Sequence, residues 1–309
     1  MSTRIVFMGS PDFALPTLQA LIDHFKVIGV VTQPDRPAGR GRNLTPPPVK
    51  ILAEERGLQV IQPRGHKDSQ AMEQLHAWEP DLVVVVAFGQ ILRSATLNLP
   101  PLGCINVHAS LLPRWRGAAP IQAAILQGDS QTGVTIMKMD PGIDTGPLLS
   151  QGEIPISQDE TGGSLAPKLA QLGAELLIDT LPVYISGDLI PQAQQGESSY
   201  APLLKKSDGQ LDFTQSAQEI ERKVRAFNPW PGAFLDWQGG RLKIHRARVV
   251  DNIEHATKVS SKPGRQSVHD GYPAVISVEG ILVLEQVQPA GKKMMSGEVF
   301  MRGAREWVN

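Results

Sequence analysis

The run Leu82-Val83-Val84-Val85-Val86 has no polar face. Successive side chains of a strand point to opposite sides, so such a strand has to be covered on both, as in a parallel sheet wrapped by helices. Short apolar runs alternate with amphipathic stretches throughout residues 4–180, which extends that reading to a whole α/β domain. Candidate strands are Ile5–Met8, Val27–Thr32, Val60–Gln62, Leu82–Ala87, Cys104–His108 and Val134–Met139. Candidate helices include Asp12–Asp23, Val49–Arg56, Ser69–Trp78, Ala118–Gln127 and Leu165–Ser186. In the last of these, Leu165, Leu169, Leu172, Leu176 and Leu177 recur at helical spacing and mark a core face.

The texture changes near residue 191. From Pro191 to Lys206 the chain is rich in Gln, Ser, Gly and Pro, which predicts a linker between a first domain at 1–190 and a second at 207–309. The second begins with a short helix over Ser216–Phe227. Strand candidates Phe234–Trp237, Leu242–Val249, Ala274–Ser277 and Ile281–Val287 follow, separated by Gln238-Gly239-Gly240 and Val278-Glu279-Gly280, as in a small β-barrel. A length of 309 residues suits two domains of this kind. The formal net charge of -1 gives no global nucleic-acid footprint, so any such partner has to be held by local patches. The single Cys104 allows no intramolecular disulfide and fits a reducing cytosol. The chain runs from Met1 straight into a short apolar strand without a secretory h-region, and Leu82–Phe88 is too short to span a bilayer. A soluble, cytoplasmic protein is expected, with no surface that signals self-association, hence a monomer.

Chemistry gathers around Cys104-Ile105-Asn106-Val107-His108-Ala109-Ser110-Leu111-Leu112-Pro113. Asn106 and His108 are two apart on a strand and therefore share a face at its end, where ligands of doubly wound sheets bind. Alone, His108 reads equally well as a satisfied structural histidine. Asp140-Pro141-Gly142-Ile143-Asp144-Thr145-Gly146 could bring a carboxylate to the same place. One of these two aspartates could simply cap the turn, and spacing does not separate them, although Asp144 lies deeper in the loop. An amide donor, an imidazole and a carboxylate suit acyl transfer to an amine. No His, Cys, Asp and Glu spacing resembles a metal site, so no metal is expected.

Three other stretches invite functional and structural readings side by side. Gly9-Ser10-Pro11-Asp12 stands where a dinucleotide phosphate loop would, but the G-x-G-x-x-G spacing is missing and an ordinary strand-to-helix turn accounts for it. Residues 34–48 form an unusually long loop carrying Arg36, Arg40 and Arg42 among glycines and prolines; it is either a solvated excursion or a phosphate-backbone contact. Asn228-Pro229-Trp230-Pro231 reads as a packing corner before it reads as a stacking platform for nucleic acid.

Taken together, these segments resemble the methionyl-tRNA formyltransferase family, within the wider 10-formyltetrahydrofolate-dependent formyltransferase superfamily. The resemblance is carried by Thr32–Gly41, Gly103–His108, Ser110–Gln122, Arg225–Pro231 and Gln288–Lys293. Asn106, His108, Asp144 and Ser110–Pro113 are shared across the superfamily. The basic loop and the Pro-Trp-Pro entry to the barrel narrow the acceptor. Ala109 stands where relatives commonly carry Gly. The resemblance implies a Rossmann-like catalytic domain and an OB-like barrel that helps hold initiator methionyl-tRNA. It also implies 10-formyltetrahydrofolate as formyl donor and Asn106, His108 and Asp144 as the catalytic trio. Ser110, Leu111, Leu112, Pro113 and Ile91 would line the folate pocket, and Arg36, Arg40, Arg42, Lys205 and Lys206 would meet tRNA. A formyltransferase of amino-sugar nucleotides and a formyltetrahydrofolate hydrolase remain the alternatives.

Overall fold

The computed structural model describes residues 3–38, 41, 43–65, 68–238, 240–250 and 262–308. The described chain divides into two compact units, one of residues 1–120, 132–154 and 166–201, the other of 121–131, 155–165 and 202–309. In chain order the elements begin β1 Arg4–Gly9, α1 Leu15–His24, β2 Lys26–Val31, β3 Arg36–Ala38, β4 Asn43–Thr45, α2 Pro48–Glu55, β5 Val60–Ile61, α3 Ser69–Ala77 and β6 Leu82–Val86. They continue α4 Ser94–Leu97, β7 Cys104–His108, β8 Arg116–Gly117, α5 Pro120–Gln127, β9 Gln131–Lys138, β10 Leu148–Pro155, α6 Gly162–Ser186 and β11 Tyr200–Ala201.

The main sheet runs in the order β10-β9-β7-β6-β1-β2-β5. β1 pairs in parallel with β2 and β6, β2 with β5, and β6 with β7, whereas β7 and β9 are antiparallel. All five residues of β6 are buried, as an apolar strand without a polar face requires. Val6, Met8, Val83, Val85, Phe88 and Cys104 share one core cluster on this sheet. Chain order reverses at β1, which has β2 on one side and β6 on the other, so ligand-binding loops belong at the carboxyl ends around it. In α6, Leu165, Leu169 and Leu177 are fully buried as their spacing predicts, while Leu172 and Leu176 are half-buried.

Two segments are more ordered than their composition suggests. The basic loop folds back on itself as a short antiparallel hairpin, β3 with β4, in which Arg36 faces Thr45. Its base is fastened where Lys50 Nζ reaches the Asp35 carboxylate at 2.9 Å and Gln62 Nε2 donates to it at 2.7 Å. Those contacts, Gln62 first, hold the Asp35 carboxyl below the ordinary carboxylate range. In the linker segment, Gln192 bridges to Leu148, and β11 pairs in parallel with β8. Residues 192–201 are therefore stitched to the first unit through main-chain bonds that composition does not reveal.

The second unit holds α7 Ala217–Ala226, β12 Ala233–Trp237, β13 Gly240–Val250, β14 Gln266–His269, β15 Tyr272–Ile276, β16 Ile281–Pro289, β17 Met295–Ser296 and α8 Gly297–Gly303. Its strands form one curled antiparallel sheet, β12-β13-β16-β15-β14, with β17 on β16, consistent with an OB-like domain. Ser216 and Glu219 close a capping box at the start of α7, whose Ile220 and Val224 enter the core beside Leu242, Leu284 and Trp307. The corner at 228–231 is braced by Asn228, whose side chain donates to the His245 carbonyl at 3.1 Å, while Trp230 stays half exposed.

Candidate active site

β7 ends the apolar run with its two polar residues on one face: His108 is buried and Asn106 half-buried. The loop after β9 brings Asp144 between them. Its Oδ2 lies 3.7 Å from His108 Nδ1, and its Oδ1 accepts from Asn106 Nδ2 at 3.4 Å. The Gly117 N–H of β8 donates to the same Oδ2 at 2.8 Å. On the other side of the ring, His108 Nε2 is 3.0 Å from the Trp115 carbonyl oxygen. A carbonyl only accepts, so this nitrogen carries its hydrogen. The ring is thus held between the Asp144 carboxylate on its Nδ1 side and the Trp115 carbonyl on its Nε2 side.

The loop separates its two aspartates into distinct jobs. Asp140 Oδ1 accepts from the Gly142 N–H at 3.0 Å and from Thr145 Oγ1 at 2.6 Å, which closes the turn. Asp144 adopts a left-handed backbone, φ 51°, and points its carboxylate at β7. Gly146 is required where the loop returns, because a Cβ there would stand 1.9 Å from the Lys138 carbonyl oxygen.

Several supporting groups carry no signal that sequence reasoning could use. Trp115 contributes only its carbonyl, which any residue type possesses, and Gly117 contributes a main-chain N–H whose partner its residue type does not name. Gln194, within the segment expected to be a linker, donates from Nε2 to the carbonyls of Asp144 and Gly146, both at 2.8 Å. Thr135 Oγ1 donates to the Ser110 carbonyl at 2.6 Å and accepts from the Leu112 N–H at 3.1 Å, while Gln151 donates to the Leu112 carbonyl at 3.0 Å. Together they fix the turn Ser110–Pro113, whose Ser110 and Leu112 side chains are buried and whose Leu111 and Pro113 are half-buried.

The remaining candidates fall elsewhere. Ile91 is 80% exposed and lines a cavity of about 510 Å³ together with Gln33, Arg36, Arg64, Gln90 and Arg93. Neither the catalytic candidates nor Ser110–Pro113 line that cavity. Arg36 is exposed and reaches Gln33 Oε1 at 2.5 Å. Arg40 and Arg42 lie outside the described residues. Lys205 and Lys206 are exposed, and the Lys205 main-chain N–H donates to Asp208. Burial pushes the Cys104 thiol up to about 12, which unfits it as a nucleophile. Among the described residues no group of three or more His, Cys, Asp or Glu side chains is placed to hold a metal ion, and no helix is long and apolar enough to cross a membrane.

The formyl transferase family model matches residues 3–181, and the model of the formyl transferase C-terminal domain matches 203–305. A curated relative from Myxococcus xanthus (strain DK1622), a methionyl-tRNA formyltransferase, is 49% identical over 303 residues, covering 97% of this chain and 95% of the relative. Among solved structures, the N-formyltransferase of Helicobacter canadensis in complex with folinic acid and dTDP-3-aminofucose gives a TM-score of 0.66 at 18% identity, covering 92% of this chain and 99% of that one. The methionyl-tRNA formyltransferase of Clostridium thermocellum gives 0.55 at 17% identity, covering 90% and 100%. At such identities the structural likeness speaks to the fold alone.

Proposed function

The chain belongs to the formyl transferase family, and we propose that Asn106, His108 and Asp144 are the groups with which it works. It transfers the formyl group of 10-formyltetrahydrofolate to the α-amino group of methionine on initiator methionyl-tRNA, for the start of translation. The observation that carries the reading of the site is the Asp144 carboxylate, 3.7 Å from His108 and 3.4 Å from Asn106, at the carboxyl end of a central strand.

The amine attacks the formyl carbon and builds a tetrahedral centre bearing an oxyanion. Asn106, whose amide has a second hydrogen beyond the one aimed at Asp144, donates to that oxygen. His108 supports it with Nε2–H once this leaves the Trp115 carbonyl. Asp144 orients the His108 ring and takes the proton of the attacking ammonium, directly or through water. The bond from the formyl carbon to N10 then breaks, N10 takes a proton, and tetrahydrofolate leaves. No covalent bond to the protein is needed. Ser110–Pro113 would line the folate pocket through the surfaces the turn leaves open, with Ile91 at its outer edge. Arg36, Arg40, Arg42, Lys205 and Lys206 would meet the phosphates of tRNA. The protein would act as a monomer in the cytoplasm, where initiation takes place.

Incubation with labelled 10-formyltetrahydrofolate tests this reading, with charged initiator tRNA, an amino-sugar nucleotide or buffer alone as acceptor. Label is expected on the methionine of tRNA. Label on the sugar, or release as free formate, would replace the reading with one of its alternatives.

A further inference from the structure

Gln194 lies between the two matched family segments, in a stretch with no periodic pattern, yet its amide is fully engaged. Nε2 gives its two hydrogens to the Asp144 and Gly146 carbonyls, both at 2.8 Å, and Oε1 accepts from Arg116 Nε at 3.1 Å and Nη2 at 2.7 Å. Two donors and two lone pairs are the whole capacity of a carboxamide. The orientation is also fixed, since a flipped amide would set its NH2 against a guanidinium and its oxygen against two carbonyls.

The three residues it joins, Asp144, Gly146 and Arg116, hold the carboxylate in its frame. Arg116 precedes Gly117, whose N–H holds Asp144 Oδ2 at 2.8 Å. Asp144 itself sits in a left-handed conformation, which persists only where its surroundings impose it. The same segment straps β8 along its length: Ser199 Oγ accepts from the Trp115 N–H at 2.9 Å, the Ser199 carbonyl from Arg116 N–H at 2.9 Å, and the Ala201 carbonyl from Ala118 N–H at 2.8 Å. Trp115 is in turn the residue whose carbonyl meets His108.

We infer that Gln194 is a positioning residue for formyl transfer, clamping the Asp144 loop to Arg116 so that the carboxylate stays within reach of His108 and Asn106. The inference rests on the catalytic reading of that trio. It acts through Asp144, so its loss slows the chemistry and leaves binding alone.

The test compares Gln194→Ala, Gln194→Glu and Asp144→Ala with the parent enzyme. The Glu variant keeps an acceptor for Arg116 but has no hydrogens for the two carbonyls. Both Gln194 variants are expected to lower kcat ten- to a hundredfold, about the cost of a 1 Å misplacement. Both KM values and 5-formyltetrahydrofolate affinity are expected to hold, while the melting temperature falls modestly with the lost hydrogen bonds. A fall in melting temperature with parental kcat, or a loss of kcat that comes with a rise in KM, would mark a mere strap and overturn the inference. If the Ala variant fails to fold, the Glu variant alone decides in the same terms. Parental kcat in the Gln194 variants beside a slow Asp144→Ala would sink the inference and leave the trio standing. Parental kcat in Asp144→Ala would remove the trio itself, and this inference with it.

Discussion

The end of β7 and the β3–β4 hairpin belong to the same unit and treat their polar groups in opposite ways. Around Asp144 the polar atoms are spent on each other: carboxylate on imidazole, amide and main-chain N–H, imidazole on a carbonyl, and loop carbonyls on Gln194. Along the hairpin, Arg36 is exposed and Leu44 is 70% exposed, while side-chain contacts fasten the base at Asp35, Lys50 and Gln62. Chemistry needs groups whose partners are already in place before the substrate arrives. Contact with a charged backbone needs groups whose partners arrive with the ligand. The difference predicts that changes in the corner alter kcat and changes in the hairpin alter acceptor binding.

The largest effect belongs to the corner. Asn106→Ala or His108→Ala is expected to cost about 2.7–4 kcal/mol of barrier, as removal of one oxyanion donor does, and circular dichroism should show an unchanged fold. A folded variant at parental rate would break the comparison outright. Next comes Gly117→Ala. The backbone there has φ 112°, and a Cβ would stand 2.5 Å from the Ala201 carbonyl, so β8 has to shift and its N–H leaves Asp144. Thermal unfolding should show a loss of about 1–3 kcal/mol from strain, and kcat should fall about a hundredfold from misplacement.

Arg36→Ala sharpens the other side. It should raise KM for tRNA with kcat little changed, and make the slope of log affinity against log salt shallower by about 1. An unaltered salt slope would remove Arg36 from phosphate contact. The smallest effect concerns Cys104. Its thiol ionises near 12 in the fold against 9.0 when exposed, so iodoacetamide at about pH 8 should leave the native protein unmodified. The sign of the linkage follows from the raised value: the unfolded thiol ionises first, so the stability difference is fully present below 9 and lost as pH climbs through 12. Rapid alkylation in the native state would show that the thiol is accessible after all.

What could be read from the sequence divides along physical lines. β6 and β7 stand out because two-sided burial forces an apolar run, and the shared face of Asn106 and His108 follows from a period of two. β10 escapes because Ser150-Gln151-Gly152-Glu153 is polar, as an edge strand with one exposed face allows. The hairpin hides among glycines and prolines, and β11 is only two residues long. Asp140 and Asp144 look alike as residues in a turn; only the path of the chain gives one the turn and the other the imidazole. Trp115 and Gly117 enter through backbone atoms, whose partners residue type does not name, and Gln194 acts over 50 residues of separation from Asp144.

The most direct test is single-turnover transfer of labelled formyl from 10-formyltetrahydrofolate to methionyl-tRNA by Asp144→Asn beside the parent. The variant keeps the shape of the side chain while removing its charge and its capacity to take a proton. Transfer is expected to slow by about 10²–10⁴, the range for a lost general base, with both substrates bound as before. Transfer at the parental rate would contradict the account.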